Sequence, residues 1–258
     1  VVQLFVNLKY YFSSALSQAF PICCAQFSQP TNRLHLRRLE DLLVFSNPAN
    51  TKLDSQFNGA IRRGAYMMEA IFLSAEERES FTDSNHTYLI KNMQYSDFHF
   101  KEPGATRMSI TPDFHHPCTN MMFVVQRKSA LQKKNYFQFE LTDLEDDHPL
   151  VSASLKINGS DRERARPAAY FSKIKPAKHM KRTPKRGIYV YPFAYYPTAW
   201  YPSGSINMSR IVSFGLDLTF PSVDKNGDAF EDAQVTVFME NHNILRFKDG
   251  QISLRYAS

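Results

Sequence analysis

Several histidine and cysteine side chains lie close enough in the sequence to suggest a metal site. His115 and His116 precede Cys118, and His99 could join them, since imidazole and thiolate are the ligands that zinc prefers. Neighbouring residues of an extended segment point to opposite sides of the backbone, however, so one ion cannot readily bind both adjacent imidazoles. We therefore interpret this segment as a loop feature and predict that the protein holds no metal ion and no other cofactor.

Motifs for calcium binding or catalysis are incomplete. Residues 224–228, Asp-Lys-Asn-Gly-Asp, begin like a calcium-binding loop. The glycine stands at the fourth position instead of the sixth, and Val235 occupies the twelfth position, where a bidentate glutamate is required. The sequence also lacks a phosphate-binding glycine loop and the Gly-x-Ser-x-Gly turn of hydrolases. No group of residues offers a nucleophile, a base and an orienting partner, so we predict no catalytic residues and a protein that is not an enzyme.

A basic segment and an aromatic segment follow each other in the C-terminal half. Residues 173–186 contain no acidic side chain, which indicates either a solvated loop or contact with an anionic partner. The aromatic segment, 189–201, has rings that could stack on bases or sugars, or pack at a contact between subunits. We favour the subunit contact. The residues predicted to make it are Tyr195, Tyr196, Pro197, Trp200 and Tyr201.

Length and composition limit the classes to which the protein can belong. Its 258 residues are 43% hydrophobic and 22% charged, which excludes a disordered chain and allows one large domain or two small ones. No apolar run approaches the ~18 residues of a transmembrane helix. The net charge of +6 is compatible with phosphate-bearing partners. The three cysteines, Cys23, Cys24 and Cys118, form no Cys-x-x-Cys pair and suggest buried thiols in a reducing compartment.

Alternating hydrophobic and polar residues predict strands along much of the chain. Each alternating segment has one polar face, as a half-buried antiparallel strand does. These segments are 137–141, 151–158, 214–220 and 235–240. A fully apolar run at 121–125 fits a strand covered on both faces. Many short strands at this spacing predict an all-β jelly-roll sandwich rather than an α/β enzyme.

Turn and helix signals delimit these strands. Asn158-Gly159, residues 225–228 and Asp249-Gly250 carry residues that tolerate positive φ and therefore predict turns. A Ser-x-x-Glu capping box at Ser74 predicts a short helix through about Phe81. The polar, turn-rich residues 47–64 are interpreted as a linker that follows an early strand-like block. That block is too short to be a stable β domain by itself.

Six segments, in order, resemble the major capsid proteins of nucleocytoplasmic large DNA viruses. Residues 202–211, Pro-Ser-Gly-Ser-Ile-Asn-Met-Ser-Arg-Ile, resemble that family's Pro-Ser-Gly-x-x-Asn-x-Ser-Arg-Ile segment. Residues 155–162, Leu-Lys-Ile-Asn-Gly-Ser-Asp-Arg, resemble its Leu-x-Leu-Asn-Gly-x-Asp-Arg segment. The other similar segments are 73–90, 116–126 (with Phe123 where the family usually has Trp), 187–194 and 243–256. The motif residues for which we expect structural roles are Asn158, Gly159, Asp161, Arg162, Pro202, Ser203, Gly204, Asn207, Ser209 and Arg210.

The resemblance implies a double jelly roll, in which two sandwiches stand side by side. Residues 1–52 would then hold the terminal strands of the first jelly roll and a linker, and residues 53–258 the complete second jelly roll. The chain begins with Val1 instead of Met, which we interpret as a break in a longer protein. The early strands are accordingly expected to pair with residues that this sequence does not contain.

The resemblance also implies a structural function. Three chains of this family form a pseudo-hexagonal capsomer, and capsomers tile an icosahedral shell that is assembled in the host cytoplasm. The expected partners are two further copies of the chain, neighbouring capsomers and minor capsid proteins, with indirect contact to an internal membrane and no specific nucleic acid.

Two alternatives stay open from the sequence. One is a minor capsid or scaffold paralogue of the same fold, which would differ in copy number per particle. The other is a jelly-roll module that binds carbohydrate or nucleic acid through the basic and aromatic segments. Such a module would be a monomer, and its affinity for polyanions would fall steeply with salt.

Overall fold

The computed structural model describes residues 3–13, 15–28, 30–38, 41, 63–100, 104–142, 147–184, 187–199, 201–223 and 228–256, apart from the side chains of residues 99 and 100. The predicted domain boundary after residue 52 and most of the predicted linker lie outside the described residues, as do Trp200 and most of the calcium-like segment. The chain divides into two compact units. The first comprises Val1–Ile90 with Ile244–Ala257, and the second comprises Lys91–Asn243.

Ten strands form two antiparallel sheets in the described residues. They are β1 His86–Phe100, β2 Arg107–Ile110, β3 Pro117–Arg127, β4 Ser152–Ile157, β5 Ser160–Pro167, β6 Tyr189–Pro192, β7 Ile206–Asn207, β8 Phe214–Thr219, β9 Ala233–Lys248 and β10 Gln251–Leu254. One sheet has the order β1-β9-β3-β6, with β10 also paired to β9 and β7 to β3. The other has the order β2-β8-β4-β5. Non-consecutive neighbours in both sheets indicate the crossing connections of a jelly roll.

The alternating segments bury one face, as predicted. Along β8 every second residue from Phe214 to Leu218 is buried, and its neighbours are half-buried. Leu155 of β4 and Val237 of β9 are completely inaccessible to solvent. Residues of both sheets join one continuous hydrophobic core within the second unit. The predicted all-β sandwich is therefore confirmed, because the two inner faces pack on each other.

One predicted strand is wrong. Residues 137–141 form turns and bends, and the side chain of Phe137 is 73% exposed. Backbone carbonyls of this region are bound by side chains of β3 instead of by a neighbouring strand: Gln126 Nε2 donates to Tyr136 O at 2.8 Å, and an Arg127 guanidinium nitrogen donates to Leu141 O at 2.8 Å. An alternating pattern predicts a strand only where a neighbouring backbone is available to complete the ladder.

Helical structure is short and partly unexpected. Helix α1, Ala75–Asp83, begins at the predicted capping box: Ser74 N donates to Glu77 Oε2 at 2.9 Å, and Glu77 N donates to Ser74 Oγ at 3.2 Å. Helix α2, Lys128–Gln132, directly follows β3. A π-helical turn, Tyr170–Ile174, leads into helix α3, Lys175–His179. The basic segment, which was interpreted as a loop, therefore begins in helical structure.

The first unit is built differently. The described part of residues 1–52 contains three 3-10 turns, Tyr11–Ser13, Leu16–Gln18 and Ile22–Cys24, and no strand. The terminal strands predicted there are therefore not formed in the described residues. An extended segment becomes a strand only when another backbone hydrogen-bonds to it. A small core of this unit includes Cys24, Ile90, Leu245 and Phe247.

Candidate assembly surface

The loop at 195–201, called here the aromatic loop, is anchored at both ends by backbone hydrogen bonds. Before it, the amides of Phe193 and Ala194 both donate to Thr119 O at 2.9 Å, where β3 is bulged against β9. After it, Ser203 accepts two hydrogen bonds: Tyr195 N donates to its carbonyl at 3.1 Å, and Tyr196 N donates to its hydroxyl at 2.8 Å. The family-motif residue Ser203 thus holds the start and the end of the loop together.

A lysine on the sheet holds the middle of the aromatic loop. Lys91 Nζ donates to Pro197 O at 2.7 Å and forms an ion pair with Glu240 at 3.3 Å. Pro197 itself is buried. Its predicted role in a subunit contact is therefore confined to shaping the loop, because a buried ring has no surface to offer a partner.

Three tyrosines of the aromatic loop do reach the surface. Tyr195 is 59% exposed, Tyr196 48% and Tyr201 47%. The rings of Tyr195 and Tyr196 lie almost perpendicular, with centroids 4.7 Å apart. Trp200, the fifth predicted contact residue, lies outside the described residues. Large exposed tyrosines on a hydrogen-bonded loop lose little conformational freedom when they are covered, which suits them to a protein contact.

The basic segment meets the aromatic loop through His179 at the end of α3. His179 Nδ1 lies 3.0 Å from Tyr195 O, a distance at which a protonated Nδ1 donates to that carbonyl, and the two rings are perpendicular at 5.7 Å. Lys178, Lys181 and Arg182 are exposed beside it. We call the set Lys178, His179, Lys181, Arg182, Tyr195 and Tyr196 the aromatic–basic surface.

Lys175 of the same segment is used inside the protein. Its ammonium lies 3.1 Å from Glu163 and 4.6 Å from the centroid of the Tyr191 ring, with the Tyr170 ring 5.3 Å away. Burial lowers the pKa of Lys175, but the hydrogen bond with Glu163 and the neighbouring charges raise the pKa overall. This pair attaches α3 to the edge strand β5. No local sequence pattern predicts this pair, since the partners are twelve positions apart.

The motif residues Asn158 and Gly159 form the two-residue turn between β4 and β5. Both have positive φ, 50° and 78°, as a type I′ hairpin turn requires. Asn158 Oδ1 also accepts hydrogen bonds from Val212 N at 2.9 Å and Ser213 N at 3.2 Å. The side chain therefore ties this hairpin to the segment that enters β8.

The motif residues Asn207 and Ser209 fix a second turn. Asn207 Oδ1 accepts from Ser209 N at 3.1 Å, and Ser209 Oγ accepts from His116 N at 2.9 Å. Met208 N donates to His116 O at 3.0 Å. His116 is held with a φ of 71°, an unusual value for a residue with a side chain. These contacts hold the 3-10 turn Met208–Arg210 against the start of β3.

The remaining motif residues lie near the surface. Asp161 and Arg162 line an open cavity of about 430 Å³ together with Ile157, Phe193 and Ile206. Pro202 and Arg210 are exposed, and Gly204 has a φ of 112°. The 155–162 and 202–211 motifs thus lie close to the start of the aromatic loop, since Phe193 lines the same cavity as Asp161 and Ile206.

The cysteines and histidines offer no reactive centre in the described part of the chain. No group of three or more His, Cys, Asp or Glu side chains converges there, and all three cysteines are free thiols. Burial raises the pKa of the Cys118 thiol to about 12. Burial and the adjacent Cys23 raise the pKa of Cys24 to about 11, so both thiols stay protonated at neutral pH. Among the described helices, none has the length and apolarity needed to cross a bilayer.

Comparison with known proteins gives consistent matches. The family described as large eukaryotic DNA virus major capsid protein matches residues 77–253. The major capsid protein of Phaeocystis pouchetii virus is 22% identical over 99% of this chain and 65% of its own length. That of Paramecium bursaria Chlorella virus 1 is 25% identical over 99% of this chain and 67% of its own length. The chain thus spans about two thirds of the length of these relatives.

Solved structures match as well. A quasi-atomic structure of the PBCV-1 virus capsid aligns with a TM-score of 0.63 and 25% identity, covering 72% of this chain and 55% of the capsid chain. The Faustovirus major capsid protein aligns with a TM-score of 0.54 and 13% identity, covering 69% of this chain and 36% of its own. The second likeness supports the fold alone.

Proposed function

This chain belongs to the family of the major capsid proteins of large eukaryotic DNA viruses, and on that premise we propose that it builds a virion shell as a homotrimeric, pseudo-hexagonal capsomer. The observation that carries the proposal is the family match across the same residues that form the jelly-roll sandwich. The role is structural rather than catalytic. A closed ring of identical subunits repeats each contact, so contacts of modest strength suffice for a stable shell.

We place the aromatic loop at the contact between subunits of the trimer. Its backbone is fixed by Ser203, Lys91 and Thr119, whereas Tyr195, Tyr196 and Tyr201 remain about half exposed. A pre-ordered loop with exposed tyrosines loses little entropy on association, which favours binding. Neighbouring capsomers and minor capsid proteins would bind other surfaces of the trimer. Any contact with an internal membrane would be indirect, and assembly would take place in the host cytoplasm.

The mass of the purified chain in solution tests the trimer, by light scattering or sedimentation over a range of concentrations. We expect a trimer for the unmodified chain and a shift towards monomer for the triple variant Tyr195→Ala/Tyr196→Ala/Tyr201→Ala. Phe137→Ala is the matched control, because Phe137 is an aromatic residue of the second unit that is 73% exposed outside the loop. Intact trimers of the triple variant would remove the aromatic loop from the contact.

Two alternatives give different results in the same preparation. A monomer that binds single-stranded DNA, with an affinity that falls steeply with salt, would support a nucleic-acid-binding module, for which the exposed cations and tyrosines are the supporting observation. A minor capsid or scaffold role would leave the trimer in place. It would instead show as a low copy number per particle, measured by quantitative mass spectrometry of virions.

A further inference from the structure

Opposite charges are concentrated in different parts of this chain. Residues 164–216 contain ten Lys and Arg and no Asp or Glu, whereas the rest of the chain contains 21 Lys and Arg and 25 Asp and Glu. The basic residues of 164–216 that the structure describes all belong to the second unit. A chain with separate basic and acidic surfaces can bind a second copy of itself head to tail.

The basic partner in such a contact is the aromatic–basic surface. Lys178, Lys181 and Arg182 are exposed there, within three positions of His179, whose ring contacts Tyr195. Lys175 does not contribute, because its charge is balanced by Glu163 at 3.1 Å. The surface therefore combines three exposed cations with two aromatic rings whose backbone is already ordered.

The acidic partner is helix α1 of the first unit. Glu76, Glu79 and Asp83 lie at i, i+3 and i+7, which places them on one face of the helix. No residue of α1 is buried. Glu77 is excluded from this face because it forms the capping box with Ser74.

We propose that the acidic face of α1 from one chain docks on the aromatic–basic surface of a second copy. The inference rests on the proposed trimer and names the two surfaces that form one of its contacts. The contact is heterologous, because the two surfaces differ, and three copies related by a threefold axis close it into a ring. Carboxylates of α1 and cations of the aromatic–basic surface then meet across the contact.

A protein partner fits this surface better than a nucleic acid. Bases stack on accessible aromatic faces. The Tyr195 ring already takes perpendicular contacts from two rings, Tyr196 at 4.7 Å and His179 at 5.7 Å. The cations of this surface bind carboxylates, which the side chains of a protein helix supply.

Charge reversal tests the contact. Glu79→Lys/Asp83→Lys reverses the acidic face near the C-terminus of α1, where lysine suits the helix dipole, so the helix should be retained. Lys178→Glu/Lys181→Glu reverses the basic surface. Each double variant is expected to weaken trimer association about tenfold or more, and the quadruple variant should recover to within about threefold of the unmodified chain. Sedimentation at a series of protein concentrations measures the association constant.

Controls separate this contact from a general effect of charge. Lys9→Glu/Lys133→Glu changes the net charge by the same amount at two exposed lysines outside the surface, and it should leave association unchanged. Circular dichroism checks the fold of every variant. Raising the salt from about 0.05 to about 0.5 M should weaken the trimer of the unmodified chain without any substitution, because screening acts on exposed charge pairs.

The outcomes are distinct. Trimers that resist both reversals and salt, or a quadruple variant that does not recover, would overturn the contact and leave the proposed capsid function intact. An unmodified chain that does not trimerise would instead overturn the proposed function. Loss of single-stranded DNA binding in Lys178→Glu/Lys181→Glu, with the trimer unchanged, would assign the aromatic–basic surface to nucleic acid and overturn the contact.

Discussion

The two units differ in how many of their large hydrophobic side chains are buried. In the second unit, Phe123 and Leu216 are completely inaccessible to solvent. In the first unit, Phe5 is 81% exposed, Met67 83% and Phe72 92%. Hydrophobic residues alone therefore do not produce a core. They must be arranged so that one face of an element can be covered by another element.

The sequence pattern explains this difference. In β4, β8 and β9 the hydrophobic residues alternate with polar ones, so a single face carries them and a facing sheet buries them. In the first unit the apolar residues are adjacent, as in Leu4-Phe5-Val6, Met67-Met68 and Ile71-Phe72. Adjacent residues of an extended chain point to opposite sides, so both are buried only where the chain is covered on two sides, as β3 is at Phe123, Val124 and Val125.

The largest expected effect compares one phenylalanine from each unit. Phe123→Ala removes a ring that stacks on Tyr189 at 5.0 Å and meets Phe171 edge-on at 6.1 Å, and should lower the free energy of unfolding by about 3 to 5 kcal/mol. Phe72→Ala removes a ring that is 92% exposed and should change the free energy of unfolding by less than about 0.5 kcal/mol. Urea unfolding followed by tryptophan fluorescence and circular dichroism measures both. Equal losses of unfolding free energy in the two variants would show that Phe72 is covered in solution, which would contradict the difference in burial between the two units.

Local patterns predicted the parts of the fold that local chemistry determines. The alternation at β4, β8 and β9, the turn at Asn158-Gly159 and the capping box at Ser74 were all found where the sequence indicated them. Residues 137–141 alternate too but have no strand partner, so pattern alone was insufficient there. The short helix α3 lies in a segment of lysines and a proline, and the ion pair that attaches it to β5, Lys175 with Glu163, joins residues twelve positions apart.

The candidate site depended on contacts between residues far apart in the sequence. The motifs pointed to Ser203 and Asn158 without showing that Ser203 closes the aromatic loop or that Asn158 binds Val212 and Ser213. Lys91, which is 106 positions from Pro197, was not identified from the sequence at all. Pro197 is also buried, which no property of the segment 195–201 by itself could have indicated.

Substitutions at two similar turns, one in each unit, are expected to have effects of intermediate size on the free energy of unfolding. Asn158-Gly159 in the second unit and Asp249-Gly250 in the first both join antiparallel strands with two residues of positive φ. Alanine at position 158 tolerates positive φ poorly and cannot accept the two hydrogen bonds. Asn158→Ala should therefore lower the free energy of unfolding by about 2 kcal/mol. Asp249→Ala also replaces a residue that tolerates positive φ but removes only an exposed ion pair with Lys248 at 3.9 Å, so it should lower the free energy of unfolding by about 1 kcal/mol.

The difference between the two variants, rather than either value, is the informative quantity, and thermal and urea unfolding should agree on its sign. Asn158→Asp is the conservative control. It keeps an acceptor oxygen for the amides of Val212 and Ser213 and should recover most of the loss. Equal costs for Asn158→Ala and Asp249→Ala would show that the hydrogen bonds of Asn158 add nothing to the turn.

The smallest expected effect is a dependence on pH that arises in the second unit. Burial and the nearby Lys91 lower the pKa of His242 on β9 below its ordinary value of 6.5. The unfolded chain then binds a proton more readily than the folded one, so the contribution of His242 to stability is complete well above pH 6.5 and is lost as the pH falls below 6.5. The pKa of His116 is also lowered, by burial and by His115, and contributes in the same direction. His242→Gln should flatten the curve of unfolding free energy against pH below pH 6.5. A curve that keeps its slope in His242→Gln would assign the acid sensitivity to His116, which His116→Gln would then remove.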